Sequence, residues 1–486
     1  MLYYSTNQSA CSATLREAVV RGLAEDRGLY MPEVIKQLPQ SFFEEIGGLT
    51  FQEVAYRVAD AFFGEDLPAD ELRRIVNDTL QFDIPLVRVD ENIYALELFH
   101  GPTLAFKDVG ARFMARLLQY FISQPPASLP IKEEGGNLQD EPSAQMHPTL
   151  PPAGERRGDV VNVLVATSGD TGSAVANGFL GVESIHVYVL YPKGKVSAIQ
   201  ECQVTTLGRN ITAIEVDGVF DDCQRLVKSA FMDEELNAHM RLTSANSINV
   251  ARFLPQAFYY FWAYAQASRL NATSLSELVV CVPSGNFGNL CSALFGHAMG
   301  LPLKRFIAAN NANDVFYQYL QTGIYAPQPS KQTIANAMDV GAPSNFARIL
   351  DLYGRADVQE RLRKRNIVQP LPSLAKGSAG SPLITGATYT DEQIAETMRE
   401  CYARTGYVLD PHGACGYRAL REQLQPGETG IFLETAHPAK FKQTVDSILG
   451  THITIPERLQ AFMRGQKQSI ALSKDFSDFK AFLLRQ

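Results

Sequence analysis

From about residue 160 the chain alternates short continuous apolar runs with longer amphipathic stretches, and this constrains its fold more than any other feature. "DVVNVLVATSG", "SIHVYVLYPKG", "NITAIEVDG", "ELVVCVPSG" and "KRFIAANN" are runs of strand length bounded by turn residues. "DDCQRLVKSAFMDEELNAH" and "PQAFYYFWAYAQASRL" lie between them and read as helices. Strands apolar on both faces must be covered on both faces, and strands spaced by helices pair in parallel. The expected fold class is α/β, with parallel sheets flanked by helices. Ligands of such sheets bind outside the carboxyl ends of the strands. The loops after the strands are therefore where chemistry is to be sought.

The first 90 or so residues follow a different pattern. "SATLREAVVRGLAEDRG" opens on a Ser cap candidate and spaces Leu15, Val19 and Leu23 along one helical face. "LTFQEVAYRVADAFFG" and "PADELRRIVNDTLQF" read the same way. With 486 residues, the chain exceeds what one small core organises. The expected division is an N-terminal mainly helical domain over 1–92, an α/β core over 93–450 and a C-terminal helical tail over 451–486. Residues 123–158, rich in Pro, Gly and polar side chains, read as a surface insertion, and 366–388 as a milder loop. No internal repeat is present.

Charge and cysteine usage narrow the function. Lys and Arg number 44 against 52 Asp and Glu, and no dense basic run stands out, which argues against nucleic acid and anionic membranes as partners. No apolar run reaches the ~18 residues of a spanning helix. The N-terminus has no basic segment followed by an apolar one. Seven scattered cysteines form no C-x-x-C pair, so a reduced, cytoplasmic compartment is expected. His412 and Cys415 lie close together, but two ligands without a second pair are weak grounds for zinc.

Five stretches carry chemistry. In "VVCVPSGNFGNLCSALFGHAMG" a strand ends at Pro283, and Gly285, Asn286, Phe287, Gly288 and Asn289 lead into a helix. Glycines let a phosphate approach the backbone, and free amides at the helix start point at it. A plain strand-to-helix turn would also need glycine. In "VLVATSGDTGSAVANGFLG", Ser168, Gly169, Asp170 and Thr171 open another helix and suit a carboxylate; Ser168 or Asp170 could equally be an N-cap. In "SANSINVARFLPQ", Asn246, Ser247, Asn249 and Arg252 suit a second phosphate, or make a capped helix with a solvated first turn. In "GIFLETAHPAKF", Thr435 sits at a strand end, where it could face a ring nitrogen or cap a Pro-initiated helix.

The fifth stretch is "HGPTLAFKDVGARFM". Lys107 stands after Leu104, Ala105 and Phe106, where burial would lower its pKa. A neutral amine can form a Schiff base with an aldehyde. Alone, a lysine that snorkels and pairs with Asp108 explains the stretch better. Beside two anion cradles, the Schiff-base reading moves ahead. The phosphorylated aldehyde that captures amino acids is pyridoxal 5'-phosphate.

"ELFHGPTLAFKD", "TSGDTGSAVA", "SANSINVAR", "VPSGNFGNL" and "HPAKF", in this order, resemble the threonine synthase family in its bacterial and fungal form. So does the opening "STNQSACSATLREAVVRGLAEDRGLYMPE". The resemblance covers nearly the whole chain. It implies the two-lobed fold type II architecture of pyridoxal phosphate enzymes and the conversion of O-phospho-L-homoserine and water to L-threonine and phosphate. By matching position, Lys107 would be the Schiff-base lysine and base, and residues 285–289 the cofactor phosphate loop. Ser168, Gly169, Asp170 and Thr171 would hold the substrate carboxylate, and Thr435 would face the pyridine nitrogen. Asn246, Ser247, Asn249 and Arg252, with Lys193 of "YPKGK", would take the substrate phosphate. Many fold type II relatives carry Asn where this chain has Asp170. The expected state is a monomer or small homo-oligomer without metal. Two rivals share Lys107 and the glycine loop: another fold type II lyase (a serine/threonine dehydratase or a phospho-amino-acid phospholyase), and a cofactor-binding protein without turnover.

Overall fold

The computed structural model describes residues 1–124, 160–270, 275–364 and 382–486. Most of the 123–158 stretch, and the part of 366–388 before Pro382, lie outside the described residues. Two parallel-type sheets form the α/β core. The larger has six strands in the order Ile384–Thr388, Arg305–Asn310, Leu278–Pro283, Thr429–Glu434, Ile93–Glu97 and Leu86–Asp90. All its pairings are parallel except the last, where Leu86–Asp90 runs back along its hairpin partner. The smaller sheet orders Ile470–Ser473, Ile211–Asp217, Ile185–Pro192, Val161–Ala166 and Arg241–Ser244, all in parallel. The strands predicted from apolar runs are buried along their whole length in Val161–Ala166, Leu278–Pro283 and Arg305–Asn310, as two-sided cover requires.

Three segments depart from the sequence reading. Ile384–Thr388, taken as loop, is an edge strand: Gly386 interrupts its apolar pattern, and a Cβ there would meet Leu320 at 2.9 Å. The C-terminal stretch contributes the edge strand Ile470–Ser473 besides its helices Glu457–Met463 and Phe476–Leu483; that strand is short and largely exposed, so it carries little periodic signal. The N-terminal stretch adds a three-stranded antiparallel sheet to its helices.

The helix Leu15–Arg21 starts at Thr14, not at the upstream serine, because Thr14 and Glu17 form a reciprocal capping box. Thr50 and Glu53 start Phe51–Phe63 in the same way. These helices pack on the helix Lys107–Ser123. Phe63 meets Phe113 at a ring-centroid distance of 5.1 Å, and Phe113 meets Phe258 at 5.6 Å. Val109, Phe113, Met114, Leu117 and Leu118 are fully buried. At about 1.5–3 kcal/mol for each large apolar side chain removed from water, this contact anchors the helix that begins at Lys107.

No helix among the described residues is long and apolar enough to cross a membrane.

Candidate active site

Strand ends converge on one cleft. Lys107 follows Ile93–Glu97, the 285–289 loop follows Leu278–Pro283, and Thr435 follows Thr429–Glu434. From the smaller sheet, Ser168 and Thr171 follow Val161–Ala166, and Asn246 and Ser247 follow Arg241–Ser244. All of these line the cleft, together with Arg252 and His412.

The last residues of the loop before Lys107 are tied to residues 435–437 by two main-chain bonds. Phe106 N donates to Thr435 O at 2.8 Å, and His437 N donates to Leu104 O at 3.1 Å. Leu104 takes a left-handed φ of 57° to make this crossing, a conformation that a non-glycine residue keeps only under strong constraint. Asp108 is turned away from Lys107. Its carboxylate accepts from Thr103 N at 2.9 Å and Thr103 Oγ1 at 2.7 Å, closing the Gly-Pro-Thr turn. Lys107 is half-buried with its open side on the cleft, and its amine makes no hydrogen bond or ion pair among the described residues. Burial, with help from Arg252 and Lys440 and against Asp170, pushes its pKa down to about 8. At that value an appreciable share is neutral near physiological pH.

The glycine loop is an open anion cradle. None of the amides of residues 285–289 is taken by another group among the described residues. Phe287 has φ 60°, which turns the chain into the helix Gly288–Ala298. A Cβ on Gly285 would lie 2.7 Å from Met338 Cα, so that loop seals one side of the cradle. Ser247 seals another: its Oγ accepts from Asn286 Nδ2 at 3.0 Å and from Asn345 Nδ2 at 2.9 Å. Beside it, the buried Arg252 leaves Nε and Nη1 unpaired among the described residues. An uncompensated buried guanidinium is costly, and it makes this end of the cleft a receptor for an anion. Burial lowers its pKa to about 10, so it stays charged at neutral pH.

At the third loop neither Ser168 nor Asp170 caps the helix Asp170–Gly178. Its N-cap is Gly169 at φ 143°, where a Cβ would meet Gln200 Nε2 at 2.4 Å. Thr167 Oγ1 takes the amides of Gly169 and Gly172 instead. The amides of Ser168, Asp170 and Thr171 remain without a partner among the described residues, an arrangement suited to a carboxylate. Asp170 itself does not line the cleft. Burial works against its charge, but Lys440 and Lys107 overcome this and hold it well below the usual carboxylate range. The Thr435 hydroxyl also has no partner among the described residues; the 3-10 turn Pro438–Phe441 is capped by His437, which accepts from Ala439 N.

Two residues expected at the phosphate end are elsewhere. Asn249 is fully buried, caps the helix Val250–Phe253 and donates to Val19 O and Ser244 O, so its polar atoms are spent on the fold. Lys193 is exposed in the turn after Ile185–Pro192 and does not line the cleft. His412 and Cys415 form no metal pair. His412 Nδ1 meets Asp410 Oδ1 at 2.5 Å, its Nε2 accepts from Ala337 N, and no group of three potential ligands occurs among the described residues.

Four residues that shape the cleft were not read as site residues from the sequence. Asn345 and Arg348 hold the 247–248 backbone and side chain, with Arg348 Nη1 on Ser247 O at 2.9 Å. His412 fixes the loop over the glycine cradle. Lys440, buried, pairs with Asp170. Only Lys440 left a signal, as an apolar-flanked lysine in "HPAKF".

The described residues thus fit a phosphorylated aldehyde: an unpaired amine, an amide cradle and a second cationic subsite share one cleft. Comparison with known proteins agrees. Residues 2–80 match the family model "Threonine synthase N terminus", 79–433 match "Pyridoxal-phosphate dependent enzyme" and 413–483 match "Threonine synthase, C-terminal". The chain is 40% identical to threonine synthase of Haemophilus influenzae over 485 residues, covering 100% of both. It superposes on a solved structure of threonine synthase from Escherichia coli with a TM-score of 0.83 at 38% identity, covering 100% of each chain. Against a pyridoxal-phosphate-bound threonine synthase from Brucella melitensis the TM-score is 0.81 at 32% identity, with 100% and 99% covered. With its amine, its cradle and these relatives spanning its whole length, the chain belongs to the threonine synthase family of pyridoxal-phosphate-dependent enzymes.

Proposed function

We propose that this chain converts O-phospho-L-homoserine and water to L-threonine and phosphate, with Lys107 bonding the cofactor, residues 285–289 cradling its phosphate and Thr435 facing its ring nitrogen. The observation that carries the reading is that one cleft holds two basic groups without partners among the described residues, the Lys107 amine and the Arg252 guanidinium, between two loops whose free amides likewise have none. Bound there, pyridoxal phosphate supplies an aldehyde that captures the substrate amine and a conjugated ring that takes up the electrons of a broken C–H bond.

The chain supplies the rest. The amides and hydroxyls of Ser168 and Thr171 orient the substrate carboxylate. Lys107, with its pKa near 8, accepts the Cα proton and later returns one. Arg252 faces the phosphoryl oxygens as negative charge grows on the leaving group, and Asn246 and Ser247 add neutral donors. A clamp of this kind serves a Cγ phosphate and is wasted on serine or threonine, which favours a phosphorylated substrate over a dehydratase role. Thr435 offers a neutral hydroxyl, which leaves the ring nitrogen less protonated than a carboxylate would.

The test is phosphate release from O-phospho-L-homoserine with threonine identified as the product, run beside serine and threonine as substrates. Turnover of the phosphorylated substrate alone is expected. Deamination of serine or threonine at a comparable rate would replace the reading with that of a dehydratase.

A further inference from the structure

Asp170 is a buried carboxylate within electrostatic reach of two lysines, and the structure gives it to only one. Lys440 Nζ lies 2.6 Å from Asp170 Oδ1 and donates to Thr103 O at 3.0 Å. Gln200 Nε2 donates to the same carboxylate oxygen at 3.0 Å. Lys440 and Asp170 are 1% and 2% exposed, so water competes for neither. The turn that carries Lys440 is fixed by the His437 cap, by His437 N on Leu104 O, and by Ser197 Oγ on Lys440 O at 3.0 Å. Lys107, by contrast, makes no hydrogen bond or ion pair among the described residues.

We propose that Lys440 is a positioning residue that occupies Asp170, so that this carboxylate does not capture the Lys107 amine as an ammonium ion. The idea rests on Lys107 being the amine that bonds the cofactor. An ammonium cannot add to an aldehyde or accept a proton, and a carboxylate in contact with an amine holds it in that form. With Lys440 paired, Lys107 faces an ion pair in which the Lys440 cation offsets part of the Asp170 charge. Among the described residues, the titratable groups that act on Lys107 are Asp170, Arg252 and Lys440; those that act on Asp170 include Lys440, Lys107 and His412, and Lys440 also acts on Asp108. Asp108, next to Lys107 in the chain, is spent on Thr103. Asp170 and Lys440 act as one unit.

The experiment titrates Lys107 in the full-length apoprotein. Pyridoxal phosphate is trapped with cyanoborohydride across pH 6–11, and the modified peptide is quantified by mass spectrometry, which needs no turnover. Lys440→Met frees Asp170 to face Lys107, and the trapping midpoint is expected to rise by about one pH unit or more. Asp170→Asn leaves the Lys440 cation unbalanced, and the midpoint is expected to fall. The double variant is expected to return towards wild type, and Lys440→Arg to stay near it. A residue that only stabilised the fold would not move the midpoint in opposite directions in the two single variants. Midpoints unchanged in both, or moved the same way, overturn the proposal. If Lys440→Met does not fold, Asp170→Asn alone decides: a fall supports it, and no change overturns it. If wild-type trapping maps to a different lysine, it is the assignment of Lys107 that fails.

Discussion

The backbone amide of Phe106 donates to the carbonyl of Thr435 at 2.8 Å, and this bond sets the lysine of one loop against the hydroxyl of another. With His437 N on Leu104 O, it makes a short antiparallel bridge at the open end of the larger sheet. Both loops leave neighbouring parallel strands, Ile93–Glu97 and Thr429–Glu434, which already share a register. The relative position of Lys107 and Thr435 is thus fixed by main-chain bonds before any ligand arrives. This is the preorganisation that proton transfer at a defined atom requires.

Lys107 contributes a pH-dependent instability. Its folded pKa is about 8 against the ordinary lysine value of 10.5. Between those values the unfolded chain binds a proton that the folded chain does not, so the residue's contribution to stability rises with pH; below 8 the full cost of burying the charge is present. The apoprotein of Lys107→Met should therefore outlast wild type in denaturant at pH 7, and its advantage should shrink towards pH 10.5. Denaturation midpoints at pH 7, 9 and 10 check this, and a constant gap would contradict it. The same variant should lose turnover by at least about 10²-fold, because its base is gone.

Arg252→Met should separate binding from folding. Removing the clamp should cost about 10²–10³ in kcat/KM for the phosphorylated substrate. Ligand-free thermal stability should hold or improve, since a buried cation with two nitrogens unpaired among the described residues is removed. Inorganic phosphate should raise the Tm of wild type more than that of the variant. Equal shifts in the two proteins would place the anion elsewhere.

Asp108 acts on the turn before the lysine. Asp108→Ala leaves the buried Thr103 amide and hydroxyl without their acceptor, at a cost of about 1–3 kcal/mol. Asp108→Asn keeps one acceptor oxygen and should lose less. Stability and turnover should fall together and in that order. An alanine variant as active and stable as wild type would remove Asp108 from the account.

Gly285→Ala should strike the cradle. The added methyl would meet Met338 backbone atoms at 2.7–3.0 Å, which cannot swing aside as a side-chain tip would. The loop fixed by His412 must lift, at a cost of about 1–3 kcal/mol, and cofactor retention on dialysis should weaken. Retention equal to wild type would show that the two loops do not depend on each other.

The α/β class, the strand ends and the glycine loops were legible because they are local. An apolar run of strand length or a glycine before a helix carries its meaning within a few residues, and the rule that ligands gather at strand ends then assembles the cleft. Lys107, residues 285–289, Ser168, Thr171, Asn246, Ser247, Arg252 and Thr435 line it on those grounds. What the sequence left open was which polar groups are spent on the fold. "SANSINVAR" offers Asn249 and Arg252 alike, yet Asn249 is consumed by Val19 from the N-terminal domain, while Arg252 keeps two nitrogens unpaired among the described residues. Lys193 and Lys440 are both lysines near turns, yet one points to water and the other is sealed against Asp170 and against a carbonyl 337 residues away in the chain. Whether a side chain is a ligand, a cap or a counter-ion depends on what packs against it, and that partner comes from distant elements brought together only when the sheets, helices and N-terminal domain close on one core.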